Sequence, residues 1–128
     1  MNFDKIVIVT RRTPLEELTE RLNTRAQARF YLEQNGVPFA EYEQADAHYQ
    51  RAVAALLAQL PRSVKHVRIE RALLPSFQFG ARDLVVTIGP DGLVINVAKY
   101  LDTQPILALN PDPARIDGML ATFGVAEA

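Results

Sequence analysis

Hydrophobic residues in this chain alternate between short uninterrupted runs and longer stretches in which they recur every three or four positions. The runs predict strands buried on both faces at 6–9, 84–88 and 106–109, and a weaker alternating pattern adds a strand at 64–69. Segments with helical spacing lie between most of these strands. The order strand, helix, helix, strand, helix, strand predicts an α/β fold with helices flanking a parallel sheet of about four strands.

The segment after the first strand has a clear helix start. Thr13 and Glu16 have the spacing of a capping box, with Pro14 at the first helical position. The apolar positions that follow keep helical spacing as far as Phe30, and Asn35-Gly36 supplies a stop signal. The sequence therefore predicts one long first helix.

Two further helices are predicted from their apolar spacing. One begins at about Asp46 and ends at Pro61, and its apolar stripe is expected to pack in the core. The other carries Leu93, Val97 and Leu101 on one face. Residues 37–45 show no decisive pattern.

Composition and net charge exclude several classes of function for this chain. The chain has 128 residues, which suits one domain, and no cysteine, which excludes disulfides and thiol catalysis. With only His48 and His66, both expected at the surface, no metal-binding residue is predicted. The formal net charge of -1 gives no field that attracts nucleic acid or membrane, so neither is an expected partner. Basic residues that can still gather locally are Arg11, Arg12, Arg62, Lys65, Arg68 and Arg71.

The two ends of the chain predict the protein's location and its oligomeric state. The apolar run after Lys5 is too short for a signal peptide or a membrane span, which predicts a cytoplasmic protein. Near the other end, Met119, Leu120 and Phe123 are apolar with no closing helix or strand. Such residues would expose apolar surface, and we expect a homo-oligomer.

The turn after the strand at 84–88 carries the clearest candidate chemistry. Gly89, Pro90, Asp91 and Gly92 stand there, immediately before a helix. Ligands of parallel α/β sheets bind at the carboxyl ends of strands, and a helix N-terminus favours phosphate. A carboxylate there can orient a sugar hydroxyl, accept its proton, or hold a metal that bridges phosphates. The same residues also suit a plain turn in which Asp91 caps the helix.

Other candidate residues follow neighbouring strands. Arg11 and Arg12 come after the first strand and can neutralise phosphates, or can simply lie in a solvated loop. Asn110 follows the last strand and can bind a nucleotide or tie its own loop. Asp112 and Asp117 have the spacing of a paired-carboxylate site, but they suit turn formation better.

The segment 83–93 resembles the NAD kinase family, whose hallmark is a strand followed by Gly-Gly-Asp-Gly and then Thr or Ser. The following helix, strand and Asn110 are similar to the family's next elements, and 117–120 lies where the family has a Leu-Gly-Phe-Leu turn. The segment 5–9 is similar to the family's first strand. The resemblance is strongest over 83–120, and the chain covers about half the family's usual length.

The resemblance implies a Rossmann-like, nucleotide-binding domain of the NAD kinase and diacylglycerol kinase type over 1–120. Residues 121–128 would then begin a connection to a C-terminal domain that the chain lacks. The implied reaction is ATP-dependent phosphorylation of the 2′-hydroxyl of NAD to give NADP, with Mg2+. Asp91 would be the catalytic base, and Gly89, Pro90 and Gly92 would hold the nucleotide. Without the second domain, we expect the fragment to be inactive.

Two departures from the family pattern keep other functions open. Pro90 replaces the second glycine and removes an N–H, and Leu93 replaces the small hydroxyl residue. A non-catalytic nucleotide-binding or regulatory module derived from this fold is the main alternative. An interaction domain of flavodoxin-like or response-regulator-like build is disfavoured, because the first strand does not end in an acidic pair.

Overall fold

A computed structural model of the chain describes residues 3–111. Its four strands form one sheet in the order β2-β1-β3-β4, and every neighbouring pair is parallel. The predicted Rossmann-like α/β fold is therefore confirmed. The boundary at residue 120 and the tail 121–128 lie outside the described residues, as do Asp112 and Asp117. In chain order the elements are β1 (Lys5–Thr10), α1 (Pro14–Leu22), α2 (Arg25–Gln34), α3 (Phe39–Ala58), β2 (Lys65–Glu70), a 3-10 helix (Arg71–Ser76), β3 (Asp83–Ile88), α4 (Asp91–Ala98) and β4 (Ile106–Leu109).

Strands β1 and β3 form the centre of the molecule, and all residues of β3 are buried. Ile6 and Ile8 point to the face covered by α3, while Val7 and Val9 point to the face covered by α4 and the 3-10 helix. Burial on both faces explains why these strands are continuous hydrophobic runs rather than alternating patterns.

The connections leave the two central strands in opposite directions. From β1 the chain passes through α3 to β2 on one side, and from β3 it passes through α4 to β4 on the other. Right-handed crossovers in opposite directions place their helices on opposite faces of a sheet, as α3 and α4 are placed here. The two loops therefore diverge, and a crevice is expected between the carboxyl ends of β1 and β3.

The prediction of one long first helix is wrong. Asn23 adopts a left-handed conformation (φ 75°) that ends α1, and the Thr24 hydroxyl accepts a hydrogen bond from the Gln27 amide to begin α2. The break changes which side chains face inward. Ala28 is buried, whereas Phe30, which continued the predicted stripe, is 60% exposed. The capping box at the start of α1 is confirmed.

Helix α3 begins earlier than predicted, at Phe39 rather than near Asp46. Pro38 occupies the N-cap position, where its restricted φ suits the start of a helix. Phe39 is buried among α1 and α2, whereas Tyr49, Val53 and Leu56 pack against the sheet. The first half of α3 thus belongs to a small helical cluster, and only its second half carries the apolar stripe seen in the sequence.

A partly buried ion pair fixes the amino-terminal ends of the two central strands. Lys5 and Asp83 are direct neighbours in the β1–β3 register, and Lys5 Nζ donates to both carboxylate oxygens at 2.9 Å. Asp83 is 1% exposed and also accepts from the Gly80 amide at 2.7 Å. This pair lies at the opposite end of the sheet from the candidate site, so its role is structural.

Replacing the buried carboxylate should weaken the fold. In Asp83→Asn the charge-assisted bonds to Lys5 are lost, and we expect the free energy of unfolding to fall by about 2 kcal/mol. Asp4→Asn is the matched control, because Asp4 pairs with Arg82 at the surface, where ion pairs contribute little. Urea unfolding of both variants measures the difference. Equal stability of the two variants would contradict a structural role for the Lys5–Asp83 pair.

Candidate functional site

The crevice between β1 and β3 brings together two of the predicted loops. Arg11 follows β1 directly, and Gly89 follows β3. A Cβ built on Gly89 would lie 3.7 Å from Arg11 Cδ, so the two loops are in contact. The sequence-based expectation that these residues share the carboxyl edge of the sheet is confirmed by the parallel register.

One tyrosine hydroxyl ties the two strand ends together. Tyr49, on α3, is 3% exposed; its hydroxyl donates to the Ile88 carbonyl at 2.7 Å and accepts from the Arg11 amide at 3.0 Å. Both backbone groups lie beyond Val9 and Thr87, the last residues that pair between β1 and β3. Burial raises the pKa of the Tyr49 phenol, and the hydrogen bond from Arg11 and its positive charge partly oppose that rise.

The side chain of Arg11 is held in the crevice and forms no ion pair with an acidic side chain of the described residues. Its guanidinium carbon lies 5.7 Å from the centre of the Tyr49 ring, within the range of a cation–π contact. Its Nε is buried and has no hydrogen-bond acceptor among residues 3–111. Buried polar groups usually have a partner, so this unpartnered Nε is an unusual feature of the crevice.

The turn after β3 presents Asp91 to solvent. Pro90 occupies the N-cap position of α4 without a side-chain cap, so the alternative in which Asp91 caps the helix is wrong. Asp91 is instead the first helical residue, where a carboxylate interacts favourably with the helix dipole. It is exposed and makes no hydrogen bond or ion pair with the described residues.

The two glycines of this turn differ in their surroundings, and neither has a positive φ. A Cβ on Gly89 would lie 2.9 Å from Leu93 Cδ2, and Leu93 is 2% exposed in the core beneath α4. A Cβ on Gly92 would meet nothing within 4 Å. Gly89 therefore permits close packing of the turn on α4, whereas Gly92 leaves open space at the helix N-terminus.

The remaining predicted residues have different environments. Arg12 is paired with Glu20 and, through its Nε at 2.8 Å, with Glu70. A phosphate at Arg12 would have to compete with these carboxylates. Asn110 directly follows β4 and is exposed. It lies beside Gly89, because Ile88 pairs with Leu109 and the Gly89 amide donates to the Leu109 carbonyl.

A groove of about 430 Å³ opens beside Arg11, between α4 and the 3-10 helix. It is lined by Arg11 and Arg12 together with Arg71, Asn96 and Tyr100, among others. Neither Asn96 nor Tyr100 is a candidate on the sequence alone. In the sequence Arg71 is only one of several basic residues, although it directly follows β2 and so lies at the same edge of the sheet as Arg11. The available signal for Asn96 and Tyr100 was their four-residue spacing, with Asn96 on α4 and Tyr100 just beyond its end.

Metal and membrane features are absent from the part of the chain that the structure describes. Within residues 3–111 no group of three or more His, Cys, Asp or Glu side chains is arranged to hold a metal ion. None of the helices in that range is both long and apolar enough to cross a membrane.

Comparison of the chain with protein-family models, with curated proteins and with solved structures gives no match.

Substitution of the two glycines should have opposite effects on stability. Gly89→Ala forces Leu93 to move within a packed core, and we expect a loss of about 1–3 kcal/mol. Gly92→Ala has open space and a helical position, where alanine stabilises by up to about 1 kcal/mol. Thermal unfolding of both variants measures the difference. Similar melting temperatures would contradict the described packing of the turn.

The buried phenol should make stability depend on alkaline pH. Because the pKa of Tyr49 is raised in the folded state, the folded protein keeps a proton that the unfolded chain loses above about pH 10. The free energy of unfolding should therefore fall as pH rises above 10, and less so in Tyr49→Phe. In a spectrophotometric titration, the phenol that Tyr49→Phe removes should ionise above the ordinary range of tyrosine, which lies near pH 10. Loss of a phenol that ionises within the ordinary range would contradict the buried hydrogen-bond chain.

Proposed function

We propose that this chain is the nucleotide-binding domain of an NAD kinase-like phosphotransferase, with Asp91 as the general base. The observation that carries the proposal is the position of Asp91. Asp91 is exposed at the carboxyl end of a central strand, and its carboxylate pairs with no described residue. The loop after the neighbouring strand carries Arg11, whose guanidinium also forms no ion pair with the described residues. A proton acceptor and a phosphate-neutralising cation at one sheet edge suit phosphoryl transfer to a hydroxyl.

The residues present fit a nucleotide. Phosphate oxygens are acceptors, and the guanidinium of Arg11 forms no ion pair with the described residues. At the N-terminus of α4, Pro90 has no amide and the Leu93 amide donates to the Pro90 carbonyl at 2.9 Å. The amides of Asp91 and Gly92 are then the donors offered to phosphate, and the open space above Gly92 gives access.

A divalent ion also fits, although the described residues form no metal site of their own. Mg2+ in phosphotransferases is commonly bound by one or two carboxylates together with the phosphates of the substrate. Asp91, an exposed carboxylate at the N-terminus of α4, would take such a role. When bound with the nucleotide, the ion would neutralise charge on the phosphates.

Each residue then has a defined task. The Asp91 carboxylate accepts the proton of the acceptor hydroxyl. Arg11, held by Gly89 and Tyr49, neutralises phosphate charge without having to leave an acidic partner. Asn110, beside Gly89, offers an amide to the same ligand. The acceptor in this proposal is the ribose 2′-hydroxyl of NAD and the donor is ATP.

A nucleotide-binding module without catalysis is the second candidate, and the packing of Leu93 favours it. Leu93 stands where the NAD kinase-like pattern has a small hydroxyl residue, and here it is buried against the core. Together with the missing amide of Pro90, this leaves fewer donors at the phosphates. Such a site would retain nucleotide binding but lose transition-state stabilisation.

The base role of Asp91 is tested in the complete product of the gene, with ATP, Mg2+ and NAD. Asp91→Asn should lower the rate of NADP formation by about 10²–10⁴-fold, because a general base contributes that much. Asp102→Asn, an exposed carboxylate just beyond α4, is the matched control and should keep the full rate. An unchanged rate in Asp91→Asn would remove that residue from the mechanism.

Calorimetric titration of the same protein with ATP and NAD separates the two candidates. Binding accompanied by turnover supports the phosphotransferase. Tight binding with no NADP formed would favour the module, and absence of binding would contradict both.

A further inference from the structure

The groove beside Arg11 has more basic than acidic side chains in its lining: Arg11, Arg12 and Arg71 against Glu17 and Glu70. Among the described residues, Arg12 is paired with Glu20 and Glu70, but neither Arg11 nor Arg71 pairs with an acidic side chain. Two guanidinium groups without an ion-pair partner in the described part of the chain therefore line one groove of about 430 Å³. That volume is within the range of small-molecule sites.

Asn96 holds Arg71 in place without cancelling its charge. With the amide oriented so that its oxygen faces the guanidinium, Asn96 accepts from Arg71 Nη2 at 2.9 Å. A carboxylate in this position would have formed a neutral pair. A neutral amide instead leaves the positive charge and the remaining donors of Arg71 for an anion.

Arg11 lines the same groove, and its guanidinium makes no ion pair with the described residues. Packing against Gly89 and the Tyr49 ring restrains the side chain. A phosphate between Arg11 and Arg71 would supply acceptors to both guanidinium groups, which match phosphate geometry well.

Tyr100 adds an aromatic surface to the groove. It lies one helical turn beyond Asn96, just past the end of α4, lines the groove and is 42% exposed. An aromatic ring at the edge of a phosphate site is a surface on which a nucleobase can stack.

We propose that this groove binds the 5′-phosphate and base of one mononucleotide unit, with Arg11 and Arg71 on the phosphate and Tyr100 against the base. The inference rests on the proposed function for the identity of the ligand as a nucleotide. It adds Arg71, Asn96 and Tyr100 as binding residues and places one nucleotide unit between α4 and the 3-10 helix.

The experiment measures binding of three probes to the 128-residue chain: AMP, inorganic phosphate and adenosine. Arg71→Gln should weaken AMP and phosphate by about tenfold or more, because a charge-assisted contact is lost. Arg71→Lys should give an intermediate loss, since it keeps the charge but not the planar fork. Tyr100→Ala should weaken AMP and adenosine and leave phosphate unchanged. Arg51→Gln, an exposed arginine on α3 on the other face of the sheet, is the matched control and should bind as the unmodified chain does.

The outcomes separate the groove from the catalytic proposal. Unchanged AMP affinity in Arg71→Gln, or no AMP binding at millimolar concentration, overturns the groove assignment, whatever Asp91→Asn does to the rate. A loss of AMP affinity in Arg71→Gln together with an unchanged rate in Asp91→Asn supports the groove and rejects the base. Matching thermal unfolding of Arg71→Lys and Arg51→Gln shows that binding losses do not arise from unfolding.

Discussion

The hydroxyl of Tyr49 is the interaction on which the carboxyl edge of this protein depends. Beyond the last ladder bonds, the backbones of β1 and β3 must separate, because one leads to α1 and the other to α4 on the opposite face. Tyr49 bridges that separation by donating to the Ile88 carbonyl and accepting from the Arg11 amide. A divergent pair of loops is thereby held at a defined distance. Arg11 and the Gly89 turn take their positions from this bridge.

Charge and shape at this edge follow from the same arrangement. Holding Arg11 by an aromatic ring and a glycine, rather than by a carboxylate, keeps its positive charge unneutralised. Arg71 is held comparably by the amide of Asn96, whereas Arg12 is fully engaged by acidic partners. At the carboxyl edge, Arg12 therefore uses its charge in ion pairs, whereas Arg11 and Arg71 form no ion pair with the described residues.

Much of the fold could be predicted because buried parallel strands are continuous hydrophobic runs, and the last strand has the predicted bounds. The break between α1 and α2 was not foreseen, since Asn23 and Thr24 interrupt a segment whose spacing otherwise stays helical. The position of Asp91 at the end of a strand could be predicted from its turn alone. The groove could not be predicted, because Arg71 and Tyr100 come from separate elements that only the strand order brings together.

Helix α3 is shared between two hydrophobic clusters, and this has a mechanical consequence. Phe39, at its amino end, packs with α1 and α2, while Tyr49 and Leu56 pack on the sheet. The Thr13 hydroxyl also donates to Asp46, midway along α3, at 2.6 Å. The helical cluster thus cannot swing relative to the sheet as a hinged lid without bending a 20-residue helix. The strand tips are therefore flanked by a sheet and a helical cluster that α3 joins into one packed unit.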